Sequence, residues 1–206
     1  MAPGLALHTS TDILGLGLQI ADKPRILTLN EGRALSETLQ LRLEQFLPPY
    51  RWRDLVWIAV CIGPGSFTST RLGVMTARTL AQTLAIPLFG IDALIALAAA
   101  QDTSSPIAVR LDARRGDFYA ALFERRGAEI SILRPAGLVL AADWPAWRSN
   151  LPAGCLLVDG EQSTDPPIAA LSELAHHRYE AGERPHWQQV EPLYLRPPPI
   201  HPAALS

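Results

Sequence analysis

The chain has 206 residues and a formal net charge of −2, so it lacks the broad basic character of a protein that grips nucleic acid unaided. Hydrophobic residues make up 48%, enough for a sizeable core in one large domain or two small lobes.

In chain order, residues 4–8 and 13–20 are apolar runs. Ser10-Thr11-Asp12 between them predicts a hairpin-like turn. A third strand is expected near residues 25–29, closed by Asn30-Glu31-Gly32. Leu35, Leu39, Leu43, Phe46 and Leu47 recur at helical spacing over residues 34–47, and Pro48-Pro49 stops that helix. Residues 55–62 are continuously apolar and predict a buried strand containing Cys61. A glycine loop and a helix to about Leu84 follow, then a short strand at 87–89 and an alanine-rich helix at 91–100 capped by Asp92. The polar turn-forming stretch 101–106 marks a boundary between an N-terminal lobe, 1–101, and a C-terminal lobe, 106–196. In the second lobe, strands are expected at 107–112, 117–124 and 127–134. Trp144 and Trp147 fall in a short helix or loop, 155–158 reads as a buried strand, and 168–181 as a helix. The proline-rich tail, 197–206, is expected to run extended or disordered. Cys61 and Cys155 form neither a disulfide framework nor a zinc spacing. No leader pattern opens the chain and no apolar run is long enough to span a bilayer, so no membrane partner and a cytoplasmic location are expected.

Two stretches concentrate the candidate function. In Gly63-Pro64-Gly65-Ser66-Phe67-Thr68, glycines flank a proline between a strand and a helix. Gly63, Gly65, Ser66 and Thr68 describe either a sharp turn or a weak anion site at a helix N-terminus, with Ser66 or Thr68 as cap. No lysine follows to make a P-loop, and there is no Gly-x-Ser-x-Gly elbow. In the helix itself, Ser69, Gly73, Ala77 and Ala81 recur every four residues. Such a strip of small side chains admits a close neighbour, either another part of this chain or a second subunit. Gly73 inside a helix costs about 1 kcal/mol relative to alanine, which implies a packing reason.

The other stretch is Asp112, Arg114, Arg115 and Asp117 around Gly116. These charges form either a ligand or partner site or a hairpin tip with mutual salt bridges. His8 ends a buried strand with no acidic or metal partner in view, and Asp12 stands alone in its turn. His176 and His177 are adjacent and cannot form an i, i+4 metal pair. No catalytic set and no metal or cofactor site is expected.

These segments resemble one known family. Residues 63–73, with Gly63-Pro64-Gly65-Ser66-Phe67-Thr68 and Arg71-Leu72-Gly73, resemble the Gly-Pro-Gly-Ser-Phe-Thr-Gly-x-Arg-x-Gly signature of the TsaB (YeaZ) family. Ile91-Asp92-Ala93-Leu94, then Leu111-Asp112-Ala113-Arg114-Arg115-Gly116-Asp117-Phe118-Tyr119, and finally Glu191-Pro192-Leu193-Tyr194-Leu195-Arg196 resemble further family segments in the family's order. The resemblance implies an α/β protein of the actin-like ATPase type, with two ribonuclease-H-like lobes and a reduced second lobe. It implies a non-catalytic dimerisation subunit in the formation of N6-threonylcarbamoyladenosine on tRNA. The implied partners are a TsaD-like catalytic paralogue and a TsaE-like ATPase, with tRNA met only within the complex and a homodimer possible for the chain alone. The family contact uses the first-lobe helices, which here implies Leu39, Leu43, Phe46, Ser69, Gly73, Ala77 and Ala81.

Three departures stand out. The family's first-turn aspartate is His8 here, which weakens the alternative of an actin-like nucleotide-dependent phosphotransferase or ATPase. The signature glycine after Phe-Thr is Ser69. The family's His-Ser-Glu segment is Leu35-Ser36-Glu37. A protease reading has no residues to support it.

Overall fold

The alternation of side chains along two central strands decides the architecture of the first lobe. In the computed structural model, which describes residues 2–20, 23–127, 129–163 and 165–196, these strands are β1 (Gly4–His8) and β4 (Trp57–Cys61), and both are buried throughout. They pair in parallel. Strands β2 (Ile13–Ile20) and β3 (Lys23–Asn30) extend the sheet as antiparallel neighbours on one side, and β5 (Leu88–Ile91) adds in parallel on the other. The order is β3-β2-β1-β4-β5.

Because successive side chains point to opposite faces, β1 and β4 feed two cores. Leu5, Leu7, Ile58 and Val60 pack with α1 (Leu35–Phe46) and α2 (Phe67–Leu84). Ala6, Trp57, Ala59 and Cys61 pack with α3 (Ala93–Ala99) and α5 (Ile168–Glu180). Asp92 caps α3 as its sequence implies, accepting from the Leu94 N–H at 2.7 Å.

The second sheet repeats the pattern without its fifth strand. β6 (Ile107–Asp112) pairs antiparallel with β7 (Phe118–Arg126), β7 with β8 (Glu129–Val139), and β6 in parallel with β9 (Leu156–Asp159). The order β8-β7-β6-β9 matches β3-β2-β1-β4 in direction and sequence. This is the two-lobed fold of the actin-like ATPases, with a reduced second lobe. A third core joins α3 to this sheet through Leu94, Leu97, Val109, Ala121 and Phe123. α4 (Trp144–Ser149) carries Trp144 and Trp147, stacked at 5.2 Å.

The two edge strands of the second sheet differ from expectation. β8 runs to Val139, past the expected stop at Arg134. Pro135 is tolerated there because β8 is an edge strand. β9 is half-exposed rather than buried, since it forms the other edge. The tail 197–206 lies outside the described residues. No helix among those described is long and apolar enough to cross a membrane.

Candidate functional site

The small-residue strip of α2 is consumed inside the molecule. Gly73, Ala77 and Ala81 are buried against the chain's own first sheet. A Cβ added at Gly73 would lie 2.1 Å from the Thr9 Oγ1. That oxygen donates to the Ser69 carbonyl at 2.9 Å, so the turn after β1 is fastened to α2 through the space that Gly73 leaves. Leu39, Leu43 and Phe46 of α1 are buried in the same core. Ser69 is half-buried, and its hydroxyl accepts from the Ser66 hydroxyl at 3.1 Å. Six of the seven residues expected in the contact strip are thus buried within this chain, and the seventh is bonded locally. Periodicity showed which face was small, but not that the nearest neighbour was this chain's own β1. The opposite side of α2 leaves Phe67 and Met75 exposed, at 53% and 57%, and α1 leaves Leu41 exposed.

The glycine loop is also closed from within. The Ser66 N–H donates to the Ser10 carbonyl at 2.8 Å, and a Cβ at Gly65 would lie 2.2 Å from that same oxygen. Ser66 occupies the N-cap position without a side-chain capping bond, and Thr68 lies within the helix and exposed. The loop thus packs against the turn between β1 and β2 where it leads into α2. Beside it, a cavity of about 420 Å³ opens between the lobes. Its lining includes the carboxylates of Asp12, Asp112, Glu161 and Asp165 against one guanidinium, Arg114, a poor balance for phosphates. His8 also lines it, yet is buried, and its Nδ1 has no partner among the described residues. Burial pulls its pKa down to about 4, so the ring is neutral at pH 7. Burial pushes the nearby Cys61 thiol up to about 11 and Asp92 up to about 6. Among the described residues, no group of three or more His, Cys, Asp or Glu could hold a metal ion.

The charged cluster sits in the tight turn between β6 and β7. Arg114, Arg115 and Gly116 all have positive φ, at 65°, 61° and 82°. The mutual salt bridges of a simple hairpin tip do not form among these four residues. Asp112 instead accepts from the Arg114 backbone N–H at 3.0 Å. Asp117 accepts from the Ala141 N–H at 2.9 Å and pairs with Arg196, and these contacts hold its carboxyl below the usual carboxylate range. Pairing alone did not reveal Arg196, 79 residues away. The signal was the C-terminal motif that contains it. That segment folds back onto the loop, where the Leu193 N–H donates to the Ile62 carbonyl at 2.8 Å. Tyr194 then lies 5.3 Å from Phe67, ring centroid to ring centroid.

Comparison with known proteins gives these surfaces a context. The family model described as "TsaD: tRNA N6-adenosine threonylcarbamoyltransferase" matches residues 33–161, more than half of the chain. The chain is 35% identical over 147 residues to the tRNA threonylcarbamoyladenosine biosynthesis protein TsaB of Bacillus subtilis, a match covering 68% of this chain and 63% of that protein. It thus spans just under two thirds of that relative's length. It is 26% identical over 166 residues to the Escherichia coli protein of the same name, covering 69% of this chain and 71% of the relative. The fold is similar to that of YeaZ from Pseudomonas aeruginosa, with a TM-score of 0.79 at 22% identity, over 95% of this chain and all of the other. With the ordered motifs on α2, on the β6–β7 turn and at residues 191–196, these matches establish that the chain belongs to the TsaB (YeaZ) family.

Proposed function

We propose that this chain is a non-catalytic partner subunit in the formation of N6-threonylcarbamoyladenosine on tRNA. In this reading it dimerises with a TsaD-like catalytic paralogue, and a TsaE-like ATPase joins the pair. The observation that carries the reading is the family match itself, with relatives named for threonylcarbamoyladenosine biosynthesis. Two features of the site support the non-catalytic part. The N–H of the N-cap residue Ser66 is engaged by the Ser10 carbonyl, and the cleft beside it is lined by four carboxylates and one guanidinium around a neutral His8. An actin-like phosphotransferase would be served by the opposite balance of charge, with cationic groups facing the phosphates.

The partner contact belongs to the outer faces of α1 and α2, where Leu41 and Met75 are exposed, and not to the buried small-residue strip. An exposed apolar side chain on each helix is the usual material of an interface core.

Reconstitution tests the reading. The TsaD-like and TsaE-like chains, given tRNA and the threonylcarbamoyl donor, are expected to lose transfer when this chain is omitted and to regain it on its addition. Full transfer without it would overturn the proposal. Titration of the isolated chain with Mg-ATP tests the enzyme alternative, and stoichiometric binding with turnover would reverse the assignment.

A further inference from the structure

Three segments distant in sequence converge on a groove of about 980 Å³. The first turns of α2 bring Phe67 and Arg71, the β6–β7 turn brings Arg114 and Arg115, and the C-terminal segment brings Tyr194 and Arg196. Their charges are unevenly matched. Arg196 is paired with Asp117. Arg71, Arg114 and Arg115 form no close ion pair among the described residues, although the Arg115 charge also acts on Asp117, and Asp112 is the acidic residue in the lining. Positive charge is thus gathered at one place in a chain whose net charge is −2.

The same groove displays ring faces. Phe67 and Tyr194 are 53% and 49% exposed and lie tilted at 35° to one another, with the Arg71 guanidinium 5.1 Å from the Phe67 ring. At its floor, the Thr70 Oγ1 and the Arg196 Nε are buried without a partner among the described residues, although Thr70 is only 4% exposed. Guanidiniums suit phosphates, exposed aromatic rings suit nucleobases, and their combination is the usual means of holding a single strand. An acidic peptide would use the arginines and leave the rings bare. An apolar one would do the reverse.

We propose that this groove binds single-stranded RNA, with phosphates on Arg71, Arg114 and Arg115 and a base stacked on the Phe67–Tyr194 platform. The choice of RNA rests on the reading of the chain as a subunit of a tRNA-modifying assembly. The groove itself is lined by residues of a single chain, without a partner.

The test measures anisotropy of a short labelled single-stranded RNA with the full chain, free and in complex with its TsaD-like partner, over a salt series. The triple variant R71Q/R114Q/R115Q is expected to weaken binding by about ten-fold or more. It should also flatten the dependence of log K on log salt by about 2, at about 0.7 per phosphate contact. Tyr194→Ala should weaken binding about five-fold or more. Arg126→Gln, an exposed arginine outside the groove, should change neither. Unchanged RNA affinity in the triple variant, in both the free chain and the complex, overturns the proposal. So does competition by AMP or ATP at the affinity of the oligonucleotide, which would make this a mononucleotide site. Loss of the TsaD-like partner in the triple variant, with RNA affinity retained, would make the groove a protein interface and overturn it too. Co-purification of the wild-type chain with that partner is read separately, so the subunit reading can stand when the groove proposal fails.

Discussion

At the residue scale, a few side chains around the end of β1 explain much of the site. Thr9 and Gly73 occupy one space, since the threonine hydroxyl reaches the Ser69 carbonyl only because position 73 has no Cβ. Gly73→Ala is expected to destabilise by about 1–3 kcal/mol through overpacking. For a chain of this size that lowers Tm by about 2–12 °C in thermal unfolding. Thr9→Ala opens the space, so the T9A/G73A double variant should lose less than the sum of the two single variants. Simple additivity would show that the two residues do not share the space. Next to them, His8 and Asp92 set opposing pH dependences. His8 has a folded pKa of about 4 against an ordinary 6.5, so its contribution is present above 6.5 and is lost as pH falls towards 4. Asp92 has a folded pKa of about 6 against 3.8. Its contribution is present below 3.8 and is lost as pH rises through 6. Between about 4 and 6 the two slopes partly cancel. Removing the titrating ring in His8→Asn should uncover the Asp92 slope. The Tm of the variant, relative to wild type, should rise as pH falls from about 6.5 to about 4. A constant difference across that window would refute a buried, neutral His8.

At the element scale, α2 has two faces with different duties. The inner one, built from Gly73, Val74, Ala77 and Ala81, holds the helix to its sheet. The outer one, through Met75, and α1 through Leu41, offers the apolar exposure a partner would cover. Met75→Glu is expected to weaken the proposed heterodimer with a TsaD-like chain at least about ten-fold in a calorimetric titration, as for a buried contact residue replaced by charge. The Tm of the free chain should stay within about 2 °C, because an exposed position carries little of the fold. Unchanged affinity would move the contact off this face. The helix and its small strip were legible from spacing, because i, i+4 recurrence is a property of the helix alone. Which neighbour fills the strip was not, because it depends on where Thr9 is carried by the hairpin before it. The β6–β7 cluster followed the same division. Asp112, Arg114, Arg115 and Asp117 were visible as a group, whereas the pairing of Asp117 with Arg196, and the Phe67–Tyr194 contact that completes the groove, depend on the return of the C-terminal segment.

At the scale of the whole molecule, chain order and spatial order part company at α5. Strands and polar turns marked a boundary at residues 101–106, and the two sheets lie on either side of it. Local pattern could not show that Ile168, Leu171 and Ala175, far beyond that boundary, return to cover Ala6, Ala59 and Cys61 on the first sheet. The Ser172 hydroxyl also donates to the buried Gln19 side chain at 2.9 Å, fixing the helix across β2. A fragment of residues 1–101 would therefore expose one face of its central strands to water. It is expected to lack near-UV circular dichroism and a cooperative thermal transition, and to bind ANS, in the manner of a chain that keeps its strands and loses fixed packing. A peptide of residues 166–182 added in trans should restore part of the cooperative transition, while the same peptide with Leu171→Asp should not. A cooperative transition for 1–101 alone, at the Tm of the full chain, would show that the first lobe stands without α5. The fold demands the other result, because a sheet whose central strands are apolar on both faces needs a helix layer on each.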